Sequence, residues 1–177
     1  MKVYVLVGKS GSGKTSVAKI ISEYYEAKNK KAVITGFSDY LKLYAHIMLG
    51  YDFKEETKPR TFLQEFGSYI RTDLKMNDML ASRLLTDIDI YKHFYDAVII
   101  NDARLPEEVN FMKNHLNDLK VIKVSGRMNQ KLTLEQLGHE TETRVDEVNN
   151  FDYFITNDGN YSGLRARVVS ILEGEDI

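Results

Sequence analysis

The sequence has no cysteine, which excludes disulfide frameworks, thiolate metal sites and cysteine nucleophiles. Only two residues are proline and 11 are glycine, which favours long regular elements joined by short turns. An excess of one charge is also missing, because 24 basic residues against 26 acidic residues give a net charge of -2. Nucleic-acid binding needs a strongly basic surface, so we expect no nucleic-acid partner.

Long hydrophobic runs are absent as well. No segment approaches the ~18 consecutive apolar residues of a membrane span. The apolar run before Gly8 is too short for the core of a signal peptide and lacks a small-residue cleavage site. We therefore expect no membrane partner and a cytoplasmic location.

What the sequence does contain is an ordinary globular composition, with 43% hydrophobic and 28% charged residues in a chain of 177. Short apolar runs alternate with longer amphipathic stretches, which indicates βα units around a parallel sheet. Strands are predicted at Val3–Val7, Ala32–Phe37, Ala97–Ile100, Val121–Val124 and Tyr153–Ile155. Helices are predicted at Lys14–Ala27, Tyr40–Leu49, Thr61–Arg71, Asp78–His93, Pro106–His115 and Ser162–Leu172.

Two long stretches interrupt this alternation within a single domain of residues 1–177. Residues 38–96 include a helical insertion between the second and third strands. An insertion of this size has to pack its own apolar face, and it could also form the surface of a homodimer. The polar residues 126–150 are interpreted as a lid or flap, with a plain surface excursion as the alternative.

A phosphate-binding loop follows the first predicted strand. Gly8-Lys9-Ser10-Gly11-Ser12-Gly13-Lys14-Thr15 matches G-x-x-x-x-G-K-[ST] in full and opens a predicted helix. Glycines let backbone N–H groups point at phosphate oxygens, and the helix N-terminus favours the same anion. The predicted donor-nucleotide site consists of Gly8, Ser10, Gly11, Ser12, Gly13, Lys14, Thr15 and Ser16. Lys14 can reach the β- and γ-phosphates, and the Thr15 hydroxyl can bind Mg²⁺.

This loop identifies a nucleotide site but not a reaction. The N-K-x-D guanine reader of a GTPase is missing, and a large motor or AAA-type ATPase needs a longer chain. A small P-loop kinase or a compact ATP-dependent switch remains.

Charged residues lie at the ends of two other predicted strands. Asp102 follows an apolar run, as do the carboxylates that P-loop proteins place near Mg²⁺. Arg104 comes two residues later, where ligands collect in open α/β sheets, although it could instead pair on the surface with Glu107 or Glu108. Asp39, after the second strand, could contact an acceptor hydroxyl or cap the next helix.

A stripe of residues marks the insertion. Arg60, Gln64, Gly67 and Arg71 follow one another at intervals of four, three and four residues, so a helix would place them on one face. The planar fork of arginine suits a phosphate dianion, and the glycine would permit close approach. The alternative is a solvated helix face.

Four segments together resemble the deoxynucleoside monophosphate kinase family. They are the loop GKSGSGKTS, residues 58–71 (KPRTFLQEFGSYIR), residues 101–109 (NDARLPEEV) and residues 151–159 (FDYFITNDG). The resemblance implies a three-layer α/β/α P-loop NTPase fold with a five-stranded parallel sheet, a helical insertion that binds the nucleoside monophosphate, and a lid. It also implies that Arg60, Gln64 and Arg71 contact the substrate and that Asp102 and Arg104 lie at the reaction centre.

The function expected from these residues is ATP-dependent phosphoryl transfer to a (deoxy)nucleoside 5′-monophosphate, with ATP and Mg²⁺ as cofactors. The predicted metal ligands are Thr15 and Asp102, and the predicted acceptor site is Asp39, Arg60, Gln64, Arg71 and Arg104. Predicted catalytic residues are Lys14, Asp102 and Arg104, with Arg127 and Arg144 of the lid to neutralise developing charge and exclude water.

Three alternatives stay open. A dephospho-coenzyme A kinase would phosphorylate a hydroxyl and need a carboxylate base, for which Asp39 is the candidate. An animal-type phosphomevalonate kinase would have a phosphate acceptor and no base. A switch of another class would bind ATP without acceptor-stimulated turnover.

Overall fold

A computed structural model of the chain describes residues 1–126 and 132–175. Its strands are β1 (Lys2–Val7), β2 (Ala32–Thr35), β3 (Ala97–Ala103), β4 (Leu119–Gly126) and β5 (Tyr153–Asn157). Its α-helices are α1 (Lys14–Ala27), α2 (Asp39–Leu49), α3 (Arg60–Thr72), α4 (Met79–Tyr91), α5 (Pro106–His115), α6 (Leu134–Gly138), α7 (Glu140–Thr143) and α8 (Tyr161–Glu175). A 3₁₀ helix spans Arg144–Glu147.

The five strands form one parallel sheet in the order β2-β3-β1-β4-β5. Strand β1 lies at its centre, where Val5 pairs with Ile100 of β3 on one side and with Val121 of β4 on the other. The predicted α/β fold with a five-stranded parallel sheet is confirmed.

Side chains that alternate along the strands build a core on each face of the sheet. On one face Tyr4 and Leu6 pack with Ile20 of α1 and Leu172 of α8. On the other face Val5 packs with residues of α4 and α5. Both faces are therefore covered by helices, which explains why the strands are apolar almost throughout.

The helical insertion has a small core of its own. Leu41 of α2, Tyr51 of the following loop, and Leu63 and Ile70 of α3 are buried against one another with Leu80 of α4. Helices α2 and α3 thus share a core that is separate from the two cores on the sheet, whereas α4 contributes to both this core and the sheet core.

Strand β2 is shorter than the sequence predicts, and the other four strands extend beyond their predicted bounds. Strand β2 ends at Thr35 rather than Phe37, and β3 continues to Ala103 rather than ending at Ile100. Strand β3 continues because Ala103 still pairs with Val7 of β1. Strand β2 ends early because the Asp102 carboxylate accepts the backbone N–H groups of Phe37 and Ser38 at 2.8 and 3.0 Å. These N–H groups turn toward a side chain of β3 instead of extending the β2 ladder.

Across the two described ranges, no helix combines the length and the hydropathy that a membrane crossing requires.

Candidate active site

The strand order opens a crevice at the carboxyl ends of β1 and β3. These strands are neighbours, but α1 after β1 packs on one face of the sheet and α5 after β3 packs on the other. Ligands of open α/β sheets bind at such a point. A cavity of about 590 Å³ lies there, lined among others by Lys14, Thr15, Asp102 and Arg104.

A side chain from the edge strand β5 contacts the phosphate-binding loop. Gly13 has a left-handed backbone with φ of 103°, and a side chain there would collide with the Asn157 amide. That amide donates a hydrogen bond to the Ser12 carbonyl at 3.1 Å. Asn157 ends β5, so the last strand holds the loop that follows the first. This brace was not predicted, although Asn157 lies in the segment 151–159 that carries the resemblance.

The side chain of Lys14 is folded back onto its own loop. Its ammonium group donates to the carbonyl of Gly8 and, at 2.9 Å, to that of Lys9, and only 7% of the residue is exposed. Burial, and after it the nearby Arg104 guanidinium, lowers its pKa to about 7 against the opposing effect of Glu142 and Asp102. An anion in the cavity would restore the charged form.

The loop also has unused hydrogen-bonding capacity. The Ser12 hydroxyl is buried and has no hydrogen-bond partner among the described residues. A buried hydroxyl without a partner is costly unless a ligand supplies one. Of the predicted donor-site residues, Gly8, Ser12, Gly13 and Ser16 do not line the cavity, whereas Ser10, Gly11, Lys14 and Thr15 do. These donors fit phosphate oxygens.

Asp102 lies at the cavity wall and also holds the turn after β2. Besides the two backbone N–H groups, it accepts the Ser38 hydroxyl. A side chain at position 36 would collide with the Asp102 carboxylate, which is why glycine stands there. Thr15 and Asp102 face the same cavity with oxygen atoms of the kind that Mg²⁺ prefers, so they fit the ion predicted to bind there.

Arg104 reaches into the cavity from the end of β3. Its guanidinium pairs with the Glu142 carboxylate of α7, and its backbone N–H donates to Glu108 at 2.8 Å. The surface pairing with the side chain of Glu107 or Glu108, which the sequence left open, is not found. Glu142 was not predicted as a site residue.

Glu108 closes the N-terminus of α5 next to this arginine. Its carboxylate accepts the backbone N–H groups of Arg104 and Leu105 at 2.8 and 3.0 Å. Burial nevertheless raises its pKa to about 7. The wall of the cavity thus includes a carboxyl group whose pKa lies well above its ordinary value.

The predicted stripe of α3 lies along one side of the same cavity. Arg60, Gln64, Gly67 and Arg71 all line it. Arg60 pairs with Glu55, and Gln64 donates to the carbonyl of Gln136 at 3.2 Å.

Arg71, at the far end of the stripe, pairs with Glu140 of α7. A methyl group on Gly67 would lie 3.3 Å from Nη1 of Arg71, so this glycine leaves the arginine its room.

Two lysines that the sequence did not single out add positive charge. Lys42 of α2 and Lys58 before α3 also line the cavity. Lys42 bonds to Asp39 at 2.8 Å, and Lys58 lies 3.5 Å from Glu55. Burial lowers the pKa of Lys58, with Lys42, Arg60 and Arg104 as further cationic contributors. Neither lysine belongs to a recognisable spacing, so only the folded chain brings them here.

An apolar part of the cavity lies beside these cations. It is formed by Leu41, Leu63, Leu80, Tyr51 and Phe53, and the rings of Tyr51 and Phe53 are 5.3 Å apart. The cavity therefore combines a phosphate loop, a cationic wall and an aromatic surface.

Two of the predicted acceptor-site and lid residues lie outside the cavity lining. Asp39 does not line the cavity, because its carboxylate accepts the Gly36 N–H at 2.8 Å and pairs with Lys42. Arg144 is also outside the lining and pairs with Glu107 at 2.6 Å and Glu147 at 3.2 Å. Arg127 lies outside the described residues.

In comparisons with known proteins, the chain resembles solved structures but no protein family or curated sequence. No protein-family model and no curated protein sequence matches the chain. Shikimate kinase from Aquifex aeolicus vf5 is similar with a TM-score of 0.52 and 15% sequence identity, over 99% of this chain and 98% of that one. Dephospho-CoA kinase from Campylobacter jejuni has a TM-score of 0.52 and 15% identity, over 98% and 96%.

A third solved structure is the Mycobacterium tuberculosis APS kinase CysC in complex with AMPPNP and APS. Its TM-score is 0.50 at 16% identity, over 97% of each chain. At these identities the likeness concerns the fold, so the chain has the fold of small P-loop kinases.

Proposed function

We propose that the protein transfers a phosphoryl group from ATP to a small anionic acceptor, most specifically a (deoxy)nucleoside 5′-monophosphate. The observation that carries this proposal is the shared cavity. A phosphate-binding loop and the arginines Arg60, Arg71 and Arg104, from two different elements, line one space of about 590 Å³. The relatives in fold, all small-molecule kinases, support the general reaction class.

At the donor end, the loop N–H groups and Lys14 would bind the phosphates of ATP. Phosphoryl transfer asks the protein mainly for positioning and charge neutralisation, and both are available here. Bound Mg²⁺ would supply further neutralisation, with the Thr15 hydroxyl and the Asp102 carboxylate, partly through water, as the protein groups that hold it.

At the acceptor end, arginine and lysine side chains favour an acceptor that already carries negative charge. An anionic phosphate needs no general base, whereas a hydroxyl acceptor does. Asp39, the candidate base, is bonded to Gly36 and Lys42 and does not line the cavity. Asp102 does line it, but already accepts three hydrogen bonds from Phe37 and Ser38. Neither Asp39 nor Asp102 is therefore a free base for a hydroxyl acceptor, and the cationic wall supports an acceptor that already carries negative charge.

A nucleobase suits the apolar part of the cavity. The rings of Tyr51 and Phe53 and the leucines beside them offer a surface on which a planar base could stack. Gln64 lies on the adjoining wall with an amide that can bond to a base edge. These groups support the nucleoside as the uncharged part of the acceptor.

A panel of acceptors tests the proposal. The protein is incubated with ATP and Mg²⁺ and with each common nucleoside and deoxynucleoside monophosphate, dephospho-CoA or shikimate, and ADP is measured. We expect ADP only when a nucleoside monophosphate is present. The variant Lys14→Met, which removes the donor-site ammonium, controls for contaminating kinases.

Two other results would redirect the assignment. If dephospho-CoA alone stimulated ADP formation, the reaction class would stand and the acceptor class would be wrong. If ATP bound but no acceptor stimulated turnover, the chain would be a nucleotide-binding switch. Arg127 and Arg144 remain predictions for the lid, since the described contacts of Arg144 lie outside the cavity.

A further inference from the structure

A carboxylate occupies the phosphate-binding loop. Glu142 of α7 is only 4% exposed, and its Oε2 accepts the backbone N–H of Ser10 at 2.9 Å. Its other oxygen pairs with Arg104. The two donors to this carboxylate, a loop N–H group and an arginine, are donors that the proposed function assigns to phosphate.

Burying a carboxylate is unfavourable unless its partners compensate for the lost hydration. Here the compensation comes from an anion-binding loop, 132 residues away along the chain from Glu142. Lys14 is close enough for the charge of Glu142 to raise its pKa. A negative charge thus already lies where the donor phosphates would have to enter.

The neighbouring carboxylate of the same short helix has a similar position. Glu140 pairs with Arg71 and accepts the Ser68 hydroxyl at 2.9 Å, so it engages an arginine of the proposed acceptor site. Helix α7 therefore presents two carboxylates to two arginines of the cavity. In the 3₁₀ helix that follows α7, Val145 is buried in the sheet core and anchors the chain there. Helix α7 itself is held by the ion pairs of Glu140 and Glu142.

We propose that Glu142 is a resident anion of the phosphate loop, which occupies a phosphate position while the site is empty and is displaced by a phosphate group of the entering nucleotide. This proposal rests on the proposed function, because it takes the loop to be the donor site. It makes anion binding a competition: a ligand has to replace both the Ser10 and the Arg104 interactions of the carboxylate. A polyphosphate has enough oxygens to do so, whereas a single weakly charged anion does not.

The test is a binding measurement that needs no turnover. Pyrophosphate is titrated by calorimetry into the wild-type protein, Glu142→Gln and Glu135→Gln. Glu135 lies on the exposed surface of α6, so its variant removes the same charge from the same part of the chain. We expect Glu142→Gln to bind pyrophosphate about tenfold more tightly or better, because a charge-assisted competitor is gone. Glu135→Gln should match the wild type.

The opposite result has a clear meaning. If Glu142→Gln binds pyrophosphate as the wild type does or more weakly, Glu142 only positions Arg104 and the proposal is wrong, while the proposed function stands. If none of the three proteins binds pyrophosphate or ATP, both the proposal and the proposed function fail.

A second variant covers the case in which Glu142→Gln does not fold. Glu142→Asp keeps the charge but is one methylene shorter, so it cannot satisfy Ser10 and Arg104 together. It should bind pyrophosphate several-fold more tightly than the wild type, and unchanged binding would overturn the proposal.

Discussion

The two ends of the cavity are built in different ways. The donor end is one continuous segment, Gly8–Ser16, whose binding groups are largely backbone N–H groups between a strand and a helix. The acceptor end is assembled from side chains of α2, α3, β3 and the loops between them. A backbone site is fixed as soon as its loop folds, whereas a side-chain site depends on every element that contributes to it.

The two ends also differ in the groups with which their charged side chains are paired. Each arginine of the acceptor wall is paired with a carboxylate: Arg60 with Glu55, Arg71 with Glu140 and Arg104 with Glu142. At the donor end, Lys14 bonds to carbonyl groups of its own loop. The acceptor end therefore has to exchange three protein carboxylates for substrate anions, while the donor end has to release Lys14 and the one carboxylate, Glu142, that also accepts the Ser10 N–H. Changes at the two ends should have separable effects.

The largest effect is expected at the donor end. Lys14→Met removes the only ammonium group of the loop that reaches the cavity, so we expect phosphoryl transfer to fall by about 10²–10³ with every acceptor, the range for loss of one transition-state donor. The measurement is kcat at saturating acceptor. Lys19→Met, on the exposed side of the same helix, is the control and should keep wild-type turnover. A loss confined to one acceptor would contradict the separation of the two ends.

The next effect belongs to the acceptor end. Arg71→Ala removes a guanidinium that can bind an acceptor phosphate, so the KM for the acceptor should rise about 10–100-fold, as for loss of one charge-assisted contact. The dissociation constant of ATP should stay within twofold of the wild-type value. Arg165→Ala on α8, whose side chain pairs with Glu23, is the matched control. Weakened ATP binding in Arg71→Ala would mean that the two ends are not independent.

A smaller effect is expected in the pH dependence of ATP binding, which should depend on the donor end alone. In the empty site the pKa of Lys14 is about 7, and bound phosphates should return it toward 10.5. ATP binding should therefore take up a proton above pH 7, and affinity should fall with rising pH by at most about tenfold per unit. Calorimetry in buffers of different ionisation enthalpy, above pH 7.5 where ATP stays fully ionised, measures this uptake. It should persist in Arg71→Ala and vanish in Lys14→Met.

The smallest effect concerns packing around Arg71. Gly67→Ala adds a methyl group 3.3 Å from both Nη1 of Arg71 and Cδ1 of Leu41, while helix propensity favours alanine by about 1 kcal/mol. We expect an acceptor KM a few-fold higher and a free energy of unfolding within about 1 kcal/mol of the wild type. Gly163→Ala on α8 is the control, because its added methyl group would lie at an ordinary distance of 3.4 Å from the nearest atom. This variant should be more stable than the wild type and keep the wild-type acceptor KM. Equal KM values for the two variants would show that Arg71 has room to spare.

The sequence was most informative where the chemistry is local. The helices Lys14–Ala27 and Pro106–His115 were predicted with the bounds that the structure gives, because a glycine-rich loop or a proline with acidic residues defines where each begins. The phosphate loop has its predicted strand and helix for the same reason. Local residue types decide such features almost alone.

The acceptor end was predictable only in part. The spacing of Arg60, Gln64 and Arg71 predicted that they share one helix face, since helical periodicity needs no tertiary information, and in the structure that face lines the cavity. Glu142 and Lys42 could not be foreseen, because long-range packing brings them to the cavity and no motif marks them. Asp39 illustrates the reverse case, in which a residue at a strand end turns its carboxylate to the local backbone.

The separate core of the insertion has a consequence for how the molecule opens and how it could change in evolution. Leu80 and Ala81 are neighbours on α4, yet Leu80 belongs to the core of the insertion and Ala81 to that of the sheet. Helix α4 thus contributes side chains to both cores. We expect α2 and α3 to open as a unit of their own, so that their amide hydrogens exchange while the sheet stays intact. Because α2 and α3 share a core of their own, substitutions there could change the acceptor specificity without disturbing the loop that binds the donor nucleotide.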